Sequence, residues 1–121
     1  MPKKVKQVMA PVFETWRGGD LVSTAAQTMK RLGVNSMVVM DHMQVSGILT
    51  DKNIIENSTA QGLDPQKTTV RDVMTCGEIR CAEDQDIEEI EKKMDQMNTQ
   101  YLVVLDSNGK PLGMISQEQL A

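Results

Sequence analysis

Val5-Lys6-Gln7-Val8-Met9 returns as Val70-Arg71-Asp72-Val73-Met74, 65 residues further along the chain. The same interval brings Met29 onto Met94 and Leu32 onto Met97. It also lays Ser36-Met37-Val38-Val39-Met40-Asp41 over Tyr101-Leu102-Val103-Val104-Leu105-Asp106. One residue is then inserted in the second copy, after which Gly47-Ile48-Leu49-Thr50 aligns with Gly113-Met114-Ile115-Ser116. Matches that run in order with a single gap mark a duplicated unit, and a repeat has to be recognised before a fold is assigned. The chain is expected to consist of a first copy over 1–60, a linker over 61–69 and a second copy over 70–121.

Each copy predicts the same succession of elements. A lead-in segment ending in Val-Met is followed by a brief strand, Glu14–Trp16 in the first copy and Glu78–Cys81 in the second. A helix comes next. Val22, Ala25, Ala26, Met29 and Leu32 fall on one face, as do Ile87, Ile90, Met94 and Met97 in the second copy, at spacings of three and four. Asp20 and Asp86 stand at the helix starts, where unpaired backbone N–H groups favour a carboxylate. Gly33 and Asn98 stand at the ends, where a left-handed residue is wanted. Two strands close each copy: Met37–Met40 with Val45–Leu49, and Leu102–Leu105 with Leu112–Ile115. Asp106-Ser107-Asn108-Gly109 is a strong hairpin signal between the latter, and Asp41-His42-Met43-Gln44 a weaker one between the former. A helix is expected from Asp51 towards Asn57, and the polar stretch Asn57–Thr69, with Gly62 and Pro65, reads as the link between copies. One copy alone is too small to bury much core, so the two are expected to pack together.

Composition narrows the function classes. No apolar run approaches the ~18 residues needed to cross a bilayer. Met1-Pro2-Lys3-Lys4 is basic but lacks the apolar stretch of a secretory signal, so no membrane insertion is expected and the cytoplasm is the expected location. A net charge of -4 gives no bulk attraction for nucleic acid, and Lys3, Lys4 and Lys6 read as a solvated end. Phe13, Trp16 and Tyr101 are the only aromatic residues beside ten methionines, so adaptable Met side chains take up core volume. Trp16, next to Arg17-Gly18-Gly19, reads as a partly buried core residue; the alternative is an interface anchor. Cys76 and Cys81 are expected to be reduced thiols. With His42 they make only a loose zinc pattern, Cys-x4-Cys, so no metal is expected. With one His, no Ser-His-Asp or Cys-His constellation and no phosphate-cradling Gly loop, no catalytic residue is assigned and the chain is not expected to be an enzyme.

The run Val-x-x-Val-Met, a helix bearing Ala-Ala-x-x-Met, Val-Val-x-Asp and then Gly-Ile-Leu-Thr-Asp-x-x-Ile resembles a cystathionine-beta-synthase (CBS) domain. Present twice and covering nearly the whole chain, it resembles a tandem CBS-domain pair, or Bateman module. The resemblance implies an α/β fold of two β-α-β-β-α repeats with pseudo-two-fold symmetry. It also implies two clefts between the repeats, which in many members bind AMP, ADP, ATP or S-adenosylmethionine. Such modules regulate an attached or partner enzyme, channel or transporter and commonly pair, so a homodimer is expected.

Carried over position by position, the resemblance implies site residues. The first motif reads Gly47-Ile48-Leu49-Thr50-Asp51-Lys52-Asn53 and the second Gly113-Met114-Ile115-Ser116-Gln117-Glu118-Gln119. Both hydroxyls are present, but the ribose-binding Asp of the family is replaced by Asn53 and Gln119. An amide offers one acceptor oxygen where a carboxylate offers two and a charge. The preferred cleft is expected to combine Ile48, Thr50, Lys52 and Asn53 with Thr75, Arg80, Thr99, Gln100 and Tyr101. The weaker one combines Met114, Ser116 and Gln119 with Ala10, Thr15, Val34, Asn35 and Ser36, and Glu118 adds a charge there that repels phosphate. The expected function is a regulatory module binding an adenosine-containing nucleotide. The alternative is a dimerisation or interaction module with empty clefts, in which Thr50 only caps the helix that begins at Asp51.

Overall fold

A computed structural model of the chain describes residues 3–11, 15–76 and 79–120, with the backbone alone described at Pro11, Glu118 and Gln119. After a 3-10 turn at Val5–Gln7 come β1 (Ala10–Pro11), β2 (Thr15–Trp16), α1 (Val22–Leu32), β3 (Ser36–Asp41), β4 (Gln44–Thr50) and α2 (Asp51–Ile54). A π-helical turn at Ile55–Thr59 and α3 (Val70–Val73) lead to β5 (Arg80–Ala82), α4 (Ile87–Met97), β6 (Tyr101–Leu105), β7 (Pro111–Ser116) and α5 (Gln117–Leu120). The α/β repeat predicted from the sequence is present in both halves. The predicted strand starts Glu14 and Glu78 lie outside the described residues.

The chain forms two compact units, Glu14–Gly77, and Met1–Phe13 with Glu78–Ala121. In the first, β2 pairs in parallel with β3, and β3 antiparallel with β4. In the second, β5 pairs in parallel with β6, β6 antiparallel with β7, and β1 adds antiparallel to the far edge of β7. The hairpins carry a register shift at equivalent places, between Val39 and Met40 and between Val104 and Leu105.

The lead-in segments are exchanged. Val70 and Val73, which open the second repeat, are buried in the Glu14–Gly77 unit with Val22, Ala25, Met29, Met37, Val39 and Leu49. Val5, which opens the first repeat, is buried in the other unit with Cys81, Ile90, Met94, Leu102, Val104 and Ile115. Each lead-in also serves the helix it packs against. The linker carbonyls of Thr68 and Pro65 accept from Val22 N and Ser23 N at 2.9 and 3.0 Å, and Lys3 O accepts from Ile87 N at 3.0 Å. These bonds satisfy N–H groups that a helix start leaves orphaned.

The expected carboxylate caps are therefore corrected. Neither side chain caps its helix: Asp20 stands one residue before the N-cap, Leu21, while Asp86 is itself the N-cap residue. Asp20 Oδ2 accepts from Arg17 N at 2.9 Å, and Asp86 Oδ1 takes the Lys4 ammonium at 2.6 Å. The predicted helix ends stand: Gly33 (φ 69°) and Asn98 (φ 52°) are left-handed. The helix predicted from Asp51 towards Asn57 is α-helical for four residues and then widens into the π turn. Gly109 closes the second hairpin at φ 83°, and Asp106 Oδ1 accepts from Asn108 N and Lys110 N. The first hairpin turns on His42 and Met43 at φ 53° and 64°, with Met43 92% exposed. Trp16 is half-buried against the core of its unit, its indole Nε1 buried without a partner among the described residues.

Candidate functional site

The first motif and the second lead-in meet inside the Glu14–Gly77 unit. β4 ends at Thr50, whose extended backbone (φ -120°, ψ 160°) hands the chain to α2. Thr50 Oγ1 accepts from Asn53 N, and Thr50 N donates to Asn53 Oδ1, both at 3.0 Å. This reciprocal cap, with Asn at the position usual for Glu or Gln, satisfies two orphan donors and fixes the Asn53 rotamer. The other end of the amide, Nδ2, donates to Thr75 Oγ1 at 3.0 Å. Thr75 is laid against β4 by two backbone bonds, Ile48 N to Thr75 O at 2.8 Å and Thr75 N to Ile48 O at 2.9 Å. Asn57 Nδ2 ties the π turn to Val73 O at 3.0 Å, further up the same lead-in.

Gly47 allows that approach. A Cβ there would stand 2.6 Å from Met74 Sδ and 2.8 Å from Thr75 O, closer than real contacts. Gly113 does the same against Met9 and the Ala10 carbonyl in the other unit. The motif glycine is thus a packing requirement imposed by the lead-in strand.

The positions predicted for the two sites sort by unit. Thr15, Val34, Asn35, Ser36, Ile48, Thr50, Lys52, Asn53 and Thr75 belong to Glu14–Gly77, while Ala10, Arg80, Thr99, Gln100, Tyr101, Met114, Ser116 and Gln119 belong to the other. Beside Thr50 stands Ser36, its β-partner, and Asn35 O accepts from Asp51 N at 3.0 Å. Beside Ser116 stands Tyr101 in the same register; Gln100 O and Thr99 O accept from Gln117 N and Nε2, each at 3.1 Å. Ala10 pairs with Met114. The Arg80 carbonyl accepts from Lys93 Nζ at 2.6 Å. The side chain of Gln119 lies outside the described residues.

The Thr50–Asn53–Thr75 trio is neutral and spends only part of its hydrogen-bonding capacity internally. One Asn53 lone pair, one Asn53 N–H and the hydroxyl protons of both threonines remain for other partners. Such groups recognise hydroxyls rather than move protons. The charge pair beside the trio is loose: Lys52 Nζ of α2 lies 3.9 Å from Glu56 Oε1 in the π turn, both well exposed.

A second polar cluster was not singled out in the sequence. Asp41 accepts from Gly18 N at 3.1 Å and Ser46 Oγ at 2.9 Å, with the Arg71 guanidinium 3.6 Å away. The Ser46 hydroxyl bond, followed by the Gly18 backbone bond and the Arg71 charge, holds the Asp41 carboxyl below its usual range. Arg71 N donates to Gly18 O at 2.8 Å, so the cluster clips the second lead-in to the first repeat. The signal for it was the equivalence of Arg71 and Lys6, whose backbone N–H makes the matching bond to Glu83 O at 3.0 Å. Among the described residues, no three His, Cys, Asp or Glu side chains come together as a metal site, and no helix is long and apolar enough to cross a membrane.

Comparison with known proteins follows the same division. Residues 5–59 and 70–121 each match the family described as CBS domain. The uncharacterized protein MK0525 of Methanopyrus kandleri is 27% identical over 96 residues, 78% of this chain and 49% of that protein. The chain thus spans about half the length of that relative. The CBS domain-containing protein YhcV of Bacillus subtilis is 29% identical over 117 residues, covering 97% of this chain and 82% of YhcV. Among solved structures, the CBS domain pair of protein MJ0100, in complex with 5'-methylthioadenosine and S-adenosyl-L-methionine, superposes with a TM-score of 0.86. It is 23% identical and the match covers 99% of this chain and 94% of that one. Duplicated sequence, duplicated unit and twofold family match agree: this chain belongs to the CBS domain family, as a tandem pair.

Proposed function

We propose that this chain is a regulatory CBS pair that binds an adenosine-containing nucleotide and modulates a partner or attached protein. The observation that carries the reading is the Thr50–Asn53–Thr75 trio, a preorganised set of hydroxyl and amide groups whose remaining donors and acceptors suit a ribose. The adenosine ligands of the MJ0100 pair support the ligand class. AMP, ADP, ATP and S-adenosylmethionine are the compounds to test, with Ile48 and Lys52 flanking the trio. Isothermal titration calorimetry of the whole chain against each of the four decides the matter. Saturable binding that Thr50→Val and Thr75→Val both weaken is the expected result. Absence of heat for all four compounds overturns the reading.

One observation favours a second reading, an interaction module without a small-molecule ligand. Leu32 and Met97, equivalent in the two repeats, are 40% and 39% exposed at the ends of α1 and α4. Val34, one residue beyond the α1 cap, is 36% exposed. Apolar side chains repeated at equivalent surface positions suit homodimerisation. Light scattering across the micromolar range separates the two: a ligand-insensitive dimer supports the module, and a monomer excludes its homodimeric form.

A further inference from the structure

We infer that the Asn53–Thr75 contact is a latch through which occupancy of the site is transmitted to the lead-in segment of the second repeat; the inference rests on the nucleotide reading above and adds how binding is read out. The first-repeat motif is held firmly, because Asn53 is gripped twice by Thr50 and Thr50, only 7% exposed, is the last residue of the β3–β4 hairpin. Thr75 is different. It is exposed, and beyond the α3 turn the hydrogen bonds that attach it, among the described residues, are its bridge to Ile48 and the Asn53 amide. Asn53 and Thr75 come from different repeats, so their bond is where the first motif grips the second repeat's sequence.

The Thr75 hydroxyl and the Asn53 amide, each with hydrogen-bonding capacity to spare, are joined by one 3.0 Å bond and so lie within reach of a single small ligand. A diol that engages both residues binds only the latched arrangement. By linkage, such a ligand suppresses release of Thr75 by a factor that grows with its concentration relative to its dissociation constant. The same segment carries Val70 and Val73 in the core and Arg71 at Asp41, so holding or freeing Thr75 acts on a strut that belongs to the second repeat.

The test reads backbone hydrogen exchange by NMR on the whole chain. The Ile48 and Thr75 amides are each other's bridge donors and report the latch directly. Thr75→Val, which keeps the β-branched shape, is expected to raise exchange at both amides about two- to tenfold, the value of one neutral hydrogen bond. Thr75→Ser is expected to restore the parental rate. Unchanged exchange in Thr75→Val overturns the latch. AMP added near 100 times its dissociation constant is expected to slow both amides about 100-fold in the parent and to have little effect on Thr75→Val. AMP that binds by calorimetry without slowing them overturns the coupling while leaving the binding reading standing. If AMP does not bind, the coupling fails with the binding reading, and the Thr75→Val arm alone decides the latch.

Discussion

Lys4 Nζ stands 2.6 Å from Asp86 Oδ1, across 82 residues of sequence. Beside it the backbone pairs Val5 N–Gln85 O and Ile87 N–Lys3 O close at 3.0 Å each. The ion pair therefore sits on a seam that is already stitched by main-chain bonds. The hydrogen bond to Asp86, with Asp84 and Glu89 adding attraction, raises the Lys4 pKa above its ordinary value of 10.5.

That direction sets a pH dependence. A lysine with a raised folded pKa contributes its full stabilisation below 10.5 and loses it as pH rises through the folded value. Asp86→Asn is expected to lower the urea midpoint at neutral pH and to match the parent above the lysine range. Because both side chains are half-exposed rather than buried, at 44% and 32%, added salt shrinks the difference. A salt-independent difference that persists at high pH would place the effect elsewhere.

Gly47→Ala tests the close approach of the second lead-in to β4. Its Cβ meets the Thr75 carbonyl, which is backbone and cannot rotate away. Overpacking of this kind costs about 1–3 kcal/mol, and urea denaturation should show it. Gly19→Ala is the control, since nothing stands within 4 Å of a Cβ at that position.

Asn53→Asp is expected to preserve the cap, because a carboxylate oxygen still accepts from Thr50 N. The Thr75 hydroxyl turns from acceptor to donor toward the other oxygen. Stability should change little, while affinity for AMP rises about tenfold as neutral ribose bonds become charge-assisted. Thr50→Ala removes the cap itself and is expected to cost about 1 kcal/mol, with Thr50→Ser retaining it. Calorimetry and urea melts on the same variants separate the two effects. An Asn53→Asp protein that binds AMP no better than the parent would contradict the ribose assignment.

The two cysteines should differ sharply toward a thiol reagent. Cys76 is exposed, whereas burial of Cys81 in the core of its unit pushes that thiol up to about 11. At neutral pH the native protein should release one equivalent of chromophore from Ellman's reagent, and a second only in denaturant. Two fast equivalents in the native state would mean that the Cys81 core opens.

Periodicity made the strands, the helix faces and both hairpins legible, because apolar spacing at two or at three and four maps directly onto a buried face. The left-handed Gly33 and Asn98 were equally readable, since few residues tolerate that backbone. The carboxylate caps were not: Asp20 falls one residue short of the α1 N-cap and closes onto Arg17 N, and the Asp86 carboxylate is drawn off by Lys4. The same holds for the trio. Thr50 and Asn53 could be picked from the motif, yet their reciprocal cap and the reach to Thr75 depend on which unit receives the second Val-x-x-Val-Met. Apolar spacing in that pentapeptide says that it packs, and is silent about against what.

The exchanged lead-ins change what counts as a separable piece of this protein. Cutting by sequence repeat strands Val5 with the wrong partner and leaves the fragment from residue 70 onward without the residue that completes its core. The only uninterrupted stretch that holds one whole unit is Glu14–Gly77, which crosses the repeat boundary and carries its own Val70–Thr75 strut. For dissecting the molecule, grafting it onto a reporter or labelling one half, the natural cassette is therefore out of phase with the duplication that produced it. The half that remains, Met1–Phe13 with Glu78–Ala121, is discontinuous, so a single uninterrupted cut of the natural chain never yields it alone.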